Sequence, residues 1–203
     1  MVPQPAGDER RPAPFLAGPW ALAVLLLLAT LPYLGVLRND FAYNYDDKAL
    51  ILDSPYVHNF QHLREVLTTT LFSHLGARGG TPYYRPLATL GFLLCYQIFG
   101  PSAFGFHLVN LLLHLAVVGV LFLWAEELLG DPVAAFATAG LFALHPAHVE
   151  SVAWISAVTD IELTLFYLLT FWCFLRLAGA GGGRKTWGVA GMTGSFILAI
   201  FSK

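Results

Sequence analysis

The sequence predicts an all-α fold: a polytopic bundle of about five transmembrane helices, with a long outer loop that carries an interfacial helix. Of its 203 residues 57% are hydrophobic and 12% are charged, whereas soluble domains carry roughly 25% charged residues. Several apolar runs approach or exceed the length needed to span a bilayer. Sixteen Phe, eight Tyr and five Trp suit membrane packing and interface belts. The net charge of -2 and the lack of a basic block argue against nucleic-acid binding.

The chain starts with a polar, Pro-rich segment, residues 1–14, which predicts a disordered cytoplasmic tail. Residues 15–37 then form the first apolar run, FLAGPWALAVLLLLATLPYLGVL. A signal peptide is the alternative, because positive charge precedes the run. A transmembrane helix is favoured, since no small-residue cleavage site follows and more apolar runs come later.

The outer loop covers residues 38–103 and contains one apolar stretch, PLATLGFLLCYQIF at 86–99. That stretch is too short to span comfortably, so it predicts an interfacial or re-entrant helix that starts at Pro86. Further spans are predicted at 104–128, 133–152, 161–178 and 187–202, the second of these interrupted by Pro146. Residues 15–203 thus form the amino-terminal part of one membrane domain.

Positive charges predict the orientation. Arg10 and Arg11 precede the first span, and Arg176, Arg184 and Lys185 lie between the fourth and fifth. Five alternating spans bring both groups to one side, which the positive-inside rule makes cytoplasmic. The 38–103 loop then faces the periplasm or the endoplasmic-reticulum lumen.

In this topology ionisable and polar side chains collect on the outer face, where four segments deliver them. Such residues at membrane depth are costly and by default indicate a functional site. The adjacent Asp46 and Asp47 predict a general base or half of a metal site, with a solvated, helix-capping loop as the alternative. The other candidates, for substrate or lipid-phosphate binding, are Tyr84, Arg85, His107, His145, His148, Glu150 and Asp160.

Several of these residues keep two interpretations. His107, Asn110 and His114 share one helix face. They form either a polar stripe beside a cavity or hydrogen bonds to neighbouring helices, and the second interpretation is favoured for Asn110 and His114. A zinc site in HPAHVES is disfavoured because Pro146 breaks the helix between the two histidines. The guanidinium of Arg85 suits two-point phosphate binding, and interfacial snorkelling is the alternative.

The order NYDD, YRPL, FGPSAFGFHLVNLLLH and FALHPAHVESVAWIS resembles the amino-terminal membrane region of the transmembrane and tetratricopeptide-repeat (TMTC-like) proteins. These belong to the multi-spanning, lipid-phosphate-sugar-dependent glycosyltransferases with the GT-C fold. The resemblance covers about residues 20–203. It implies further spans and a carboxy-terminal helical-repeat region for protein partners, so a chain ending at Lys203 is expected to be inactive by itself.

The resemblance also implies an O-glycosyltransferase that moves mannose from a polyprenyl- or dolichyl-phosphate carrier to Ser or Thr of an acceptor protein, with inversion. The family's catalytic carboxylate then corresponds to Asp46, with Asp47 beside it. No cofactor is required, although a divalent metal at this pair is an alternative. The sequence departs from the family where a Gly-Arg pair usually follows WIS, since Ala157 and Val158 stand there. If that Arg binds the lipid phosphate, Arg85 is its substitute.

Two rival functions remain. A non-catalytic membrane anchor or scaffold for a repeat domain predicts that Asp46 can be neutralised without consequence. A transporter is disfavoured, because transporters collect ionisable groups near the bilayer midplane, whereas here they gather near one surface.

Overall fold

In the computed structural model, residues 18–79, 82–178 and 183–203 are described, and every regular element in these ranges is helical. The predicted all-α class is therefore confirmed, while the predicted tail at 1–14 lies outside the described residues. The α-helices are α1 Pro19–Thr30, α2 Pro55–His58, α3 Leu63–Thr68, α4 Pro86–Phe99, α5 Ala103–Leu129, α6 Pro132–Leu144, α7 Val149–Ala153, α8 Val158–Ala178 and α9 Gly183–Ser202.

Fewer spans are present in the described residues than the five predicted. By length and composition α5 and the Ile155–Leu177 stretch can each cross a membrane, and α6 with Pro146–Ala153 makes a third if this pair, bent by 48°, is one span. The apolar stretches Pro19–Tyr33 and Thr186–Ser202 are shorter. At 1.5 Å per residue, Pro19–Tyr33 reaches about 22 Å, less than the roughly 30 Å hydrocarbon core.

The centre of the bundle is α5, which packs against α1, α6 and α8. Small residues repeat every four positions along the facing sides of two of these helices, so each set shares one helix face. They let α1 and α6 approach closely beside Val118 and Phe122 of α5. The small residues are Ala21 and Ala29 in α1, with Leu25 between them, and Ala135, Ala139 and Ala143 in α6; all six residues are fully buried.

The segment between α1 and α5, which the sequence predicts to be an outer loop, has a buried apolar core in its described residues rather than being a solvated connection. Its buried side chains, among them Ile51, Val57 and Val66, pack with Phe92 of α4 and Phe106 of α5. Two polar contacts connect parts of this segment. The His58 ring nitrogen Nε2 lies 2.8 Å from the Ile51 carbonyl oxygen, and the Gln97 side chain in α4 donates to the His58 carbonyl at 2.9 Å. The helix predicted at 86–99 is present with those bounds.

The turn from α4 into α5 requires a glycine, which gives a first prediction. A Cβ at Gly105 would clash with the Cβ and Cγ of Phe99, so Gly105→Ala is expected to destabilise the protein by about 1–3 kcal/mol through overpacking. Gly119→Ala on the same helix is the matched control, because its Cβ would meet only Leu22 at 3.8 Å. Thermal unfolding of both variants in detergent measures the difference; equal midpoints would contradict the prediction.

Candidate active site

A cavity of about 460 Å³ lies where the segment after α1, the start of α5 and α7 meet. This volume falls within the range of small-molecule sites. Three of the residues predicted from the sequence, Asp47, His107 and Glu150, line it together. The complete lining is Asn39, Asp40, Ala42, Tyr45, Asp47, His107, Val149, Glu150, Ala153 and Trp154.

Asp47 joins the outer loop to the turn before α8. Its Oδ2 accepts a hydrogen bond from the Ala42 N–H at 2.9 Å. Its Oδ1 accepts from the Ser156 N–H at 3.0 Å and from the Ser156 hydroxyl at 2.5 Å. The side chain is 1% exposed, so three donors satisfy a carboxylate that burial would otherwise make costly. This contact bridges 109 positions of sequence and shapes one wall of the cavity.

Two nitrogen-bearing side chains of the lining have no partner in the described structure. His107 is 2% exposed, and both of its ring nitrogens are buried without a hydrogen bond. The indole nitrogen of Trp154 is also buried and unpaired, and this ring lies edge-on to Tyr45 with centroids 6.2 Å apart. These nitrogens have almost no accessible surface, so they lie within the cavity wall rather than on its open face.

The other two carboxylates of the cavity are exposed. Asp40 accepts from the Phe41 N–H at 2.8 Å and from the Tyr43 hydroxyl at 3.3 Å. Desolvation, followed by the charge and hydrogen bond of Asp40, raises the pKa of Tyr43, so the phenol stays protonated and donates. The Glu150 carboxylate has no hydrogen bond to another described group, while the Glu150 carbonyl accepts from the Trp154 N–H at 3.0 Å at the end of α7.

The remaining predicted residues lie elsewhere. His148 and Asp160 line a separate pocket of about 70 Å³ with His114, and Asp160 also forms an ion pair with Lys203. His145 caps the turn after α6 by accepting from the Ala147 N–H at 3.1 Å. The half-buried Asp46 is absent from the cavity lining and from the side-chain hydrogen bonds of the described region.

Tyr84 and Arg85 lie at a third place, the start of α4. Tyr84 lines an apolar groove of about 240 Å³ with Leu67, Pro86, Leu87, Leu90, Leu198 and Phe201. Arg85, directly before Pro86, stacks over the Tyr83 ring at 5.0 Å. Within the described residues, no carboxylate lies within 4.0 Å of its guanidinium. The candidates that line a pocket are thus distributed over three pockets, and Asp46, His145 and Arg85 line none of these.

The interhelical interpretation of Asn110 is confirmed. Its side-chain amide donates to the Trp154 carbonyl at 3.1 Å and to the Ile155 carbonyl at 3.3 Å. These bonds attach α5 to the irregular turn between α7 and α8. His114, in contrast, packs on Tyr33 with ring centroids 5.3 Å apart, and its Nε2 is buried without a partner among the described residues.

The geometry at Asp46 and Asp47 does not fit a metal ion well. Oδ1 of Asp47 already accepts two hydrogen bonds and Oδ2 accepts one, so the carboxylate has about one lone pair left for a cation. Among the described side chains, no group of three or more His, Cys, Asp and Glu is arranged to hold a metal.

The sequence interpretation missed Asp40, Tyr45 and Trp154. Tyr45 belongs to the NYDD motif and Trp154 to the VAWIS segment, whereas Asp40 lies four residues before NYDD and outside the motifs singled out. The available signal was an aromatic pair near carboxylates. Its two rings come from segments far apart in sequence, and only the fold brings them together.

The apolar helices, two of which are long enough to cross a membrane, are typical of a helical membrane protein, and the polar cavity beside them is its candidate site. Residues 85–203 match the family model of dolichyl-phosphate-mannose-protein mannosyltransferase. The chain therefore belongs to this family, which confirms the resemblance seen in its motifs.

Individual relatives agree with the family match. The chain is 37% identical over 163 residues to the mouse (Mus musculus) protein O-mannosyl-transferase TMTC2, covering 77% of this chain and 19% of the relative. It is 35% identical over 162 residues to Drosophila melanogaster protein O-mannosyl-transferase Tmtc1, and the match covers 79% of this chain and 18% of the relative. It is 32% identical over 196 residues to mouse protein O-mannosyl-transferase TMTC1, and this match covers 95% of the chain and 21% of the relative.

The chain spans about one fifth of the length of these curated relatives. No solved structure matches it.

Proposed function

We propose that the protein is a membrane glycosyltransferase that moves mannose from a polyprenyl- or dolichyl-phosphate carrier to Ser or Thr hydroxyls of an acceptor protein. The transfer takes place on the periplasmic or lumenal side and inverts the sugar linkage. The observation that carries this proposal is the cavity of about 460 Å³, which Asp40, Asp47 and Glu150 line together with His107 and the aromatic rings of Tyr45 and Trp154. Membership of the mannosyltransferase family indicates that the reaction at this cavity is the transfer of mannose.

Sugar recognition follows from this lining. Hydroxyl groups of a pyranose can donate to the exposed carboxylates of Asp40 and Glu150. The exposed Tyr45 ring and Trp154 offer apolar surfaces against which the C–H face of the sugar can pack. The cavity volume of about 460 Å³ leaves space for an acceptor side chain beside one sugar unit.

The lipid carrier requires a different surface. The groove beside α4 is lined mainly by leucine and aromatic side chains, which suits an isoprenoid chain. Arg85 lies at its edge and has no carboxylate partner among the described residues. A guanidinium binds phosphate through two parallel hydrogen bonds, and the amino terminus of α4 adds a favourable dipole. Arg85 and Tyr84 are therefore proposed as the lipid-phosphate side of the site.

The reaction is a displacement at the anomeric carbon. The acceptor hydroxyl attacks from the face opposite the phosphate, a carboxylate takes its proton, and cationic groups stabilise the departing lipid phosphate. The resemblance to the family makes Asp46, with Asp47 beside it, the candidate proton acceptor. Asp40 and Glu150 are further candidates, because their carboxylates line the cavity. His145, His148 and Asp160 lie away from the cavity and keep only a secondary role in binding.

The test uses the protein, with any sequence that follows Lys203, in membranes of the expressing cells. Labelled dolichyl-phosphate mannose and a Ser/Thr peptide are supplied, and transfer to the peptide is measured. His107→Ala is expected to lower transfer at least about tenfold, because the loss of this buried ring from the cavity wall displaces the groups that bind the sugar, and a displacement of about 1 Å can cost about 10²-fold in rate. His62→Ala is the control, since its ring touches only Glu65, at 4.0 Å, among charged groups.

Transfer that depends on His107 but not on His62 supports the proposal. Wild-type protein that transfers no sugar from any of several lipid-phosphate donors contradicts it. That result would favour the non-catalytic scaffold, for which the replacement of the family's Gly-Arg pair by Ala157 and Val158 is the supporting observation.

A further inference from the structure

The turn between α7 and α8 connects the helix bundle to the acidic segment after α1. It consists of residues 154–157, of which Ile155, Ser156 and Ala157 are buried. The backbone is extended at Trp154 and then forms a short 3-10 turn, so regular helical hydrogen bonding is interrupted here. Carbonyl groups at such an interruption can accept from side chains of other elements, since each carbonyl oxygen has two lone pairs.

Asn110 of α5 donates to two successive carbonyl groups of this turn. Its side-chain nitrogen lies 3.1 Å from the Trp154 carbonyl oxygen and 3.3 Å from that of Ile155. An amide carries two donor hydrogens, which is the number that these two acceptors require. Asn110 is 2% exposed, so water does not compete for the contact. The two bonds therefore fix the position and the orientation of the turn relative to α5.

Ser156, the next residue of the turn, carries this constraint to the acidic segment. Its N–H donates to Oδ1 of Asp47 at 3.0 Å, and its hydroxyl donates to the same oxygen at 2.5 Å. Asp47 is 1% exposed, so protein donors rather than water set the direction of its carboxylate. A shift of the turn consequently displaces two of the three donors that hold Asp47.

The direction of Asp47 also determines the direction of its neighbour. Asp46 and Asp47 have helical backbone conformation, and the helical segment continues through Lys48–Leu52. Successive side chains of an α-helix point about 100° apart, so a rotation of this backbone moves both carboxylates together. The hydrogen bonds from Ser156 to Asp47 therefore orient the pair.

Neither Asn110 nor Ser156 lines the cavity or the groove beside α4. An effect of either residue on sugar transfer therefore has to pass through other residues. The hydrogen bonds form a continuous connection from α5 through the turn to Asp47, and the three side chains in it are buried. Asp47 is the member of this connection that lines the cavity.

We infer that Asn110 is a positioning residue for the acidic pair Asp46 and Asp47, and that it acts through the turn that carries Ser156. This inference rests on the proposed function, in which a carboxylate of the pair takes the proton of the acceptor hydroxyl. Asn110 contributes no atom to the reaction. It holds the pair at the geometry that the reaction requires, and a misplacement of about 1 Å can lower a rate about 10²-fold.

The experiment measures kcat and KM in the dolichyl-phosphate mannose assay for Asn110→Ala, Ser156→Ala and the double variant. Asn110→Ala is expected to lower kcat about 10–100-fold, and Ser156→Ala about tenfold. KM for the donor should stay within about threefold of wild type, because neither residue binds the donor. The double variant should be no slower than Asn110→Ala, because displacement of the turn already separates the Ser156 hydroxyl from Asp47. Ser156→Thr keeps a hydroxyl and should restore most of the rate.

Ser202→Ala is the matched control. Ser202 is a fully buried serine whose hydroxyl donates to the Leu198 carbonyl of its own helix at 2.8 Å, so its replacement should leave kcat unchanged. Hydrogen exchange at Ala42 is a readout that does not depend on sugar transfer. The Ala42 N–H donates to Asp47, and it should exchange faster in Asn110→Ala, although the Asn110 amide donates only to the turn.

The outcomes distinguish the inference from the proposed function. Lower kcat in both single variants, its recovery in Ser156→Thr and faster exchange at Ala42 are the results that we expect. An Asn110→Ala variant with wild-type kcat, a raised KM at unchanged kcat, or a double variant whose loss equals the product of the single losses overturns the inference and leaves the proposed function standing. If Asn110→Ala does not fold, equal rates of Ser156→Ala and Ser156→Thr overturn it. Absence of wild-type transfer overturns the proposed function, and the inference with it.

Discussion

Replacing Asp47 by alanine is expected to release the outer loop from the turn before α8. The Ala42 and Ser156 N–H groups would lose their acceptor in a region where water does not reach Asp47, which is 1% exposed. An orphaned buried donor costs about 1–3 kcal/mol, so the two together cost about 2–6 kcal/mol. The Ser156 hydroxyl can rotate to another partner and adds little.

Hydrogen exchange followed by mass spectrometry measures this effect directly. Peptides that contain Ala42 or Ser156 should exchange faster in Asp47→Ala, and the unfolding temperature should fall. Asp53→Ala is the matched control in the same segment, because its ion pair with Lys48 is half-exposed and such surface pairs contribute about 0–1 kcal/mol. Unchanged exchange at both peptides would show that Asp47 does not hold the loop.

Asp47→Asn refines the result. The amide keeps one oxygen acceptor and similar volume, so this variant should lie between wild type and Asp47→Ala in loop exchange. If Asp47 were instead the catalytic base, Asp47→Asn would abolish sugar transfer while exchange stayed close to wild type. The two measurements together therefore separate a positioning role from a catalytic one.

The adjacent pair Asp46 and Asp47 illustrates what the sequence could and could not predict. The pattern indicated acidic residues at a membrane boundary, but two neighbours in an irregular segment have no periodicity that assigns one to the interior. The distinction depends on Ser156, more than a hundred positions later, whose N–H points at Asp47. No local pattern contains that contact.

Regular elements were more predictable than the site. Pro86 and the apolar run after it predicted α4 with its observed bounds, because helix starts and lengths depend on local residues. Pro146 likewise predicted the break after α6. The first span was predicted too long, since Leu31–Tyr33 forms a separate 3-10 turn at Pro32 that ends the α-helix. An apolar run indicates that a segment is hydrophobic, but it does not indicate whether a proline interrupts the α-helix within it.

Arg85→Gln is expected to raise KM for the lipid-phosphate sugar about 10–100-fold with a smaller effect on kcat. The guanidinium makes charge-assisted hydrogen bonds, which contribute about 1.5–3 kcal/mol, and each 1.4 kcal/mol is a factor of ten in binding. Donor titrations in the transfer assay measure the change. Arg64→Gln is the control, since Arg64 is exposed on α3 and lies outside the groove lining.

Two further comparisons link this effect to the groove rather than to charge alone. Arg85→Lys keeps the positive charge but loses the two-point geometry, so it should recover only part of the affinity. Leu90→Asp changes the apolar wall and should weaken binding of a long-chain donor more than that of a short-chain one, because only the long chain reaches the groove. If Arg85→Gln weakens both donors equally and Leu90→Asp weakens neither, Arg85 binds the phosphate while the lipid chain lies elsewhere in the membrane.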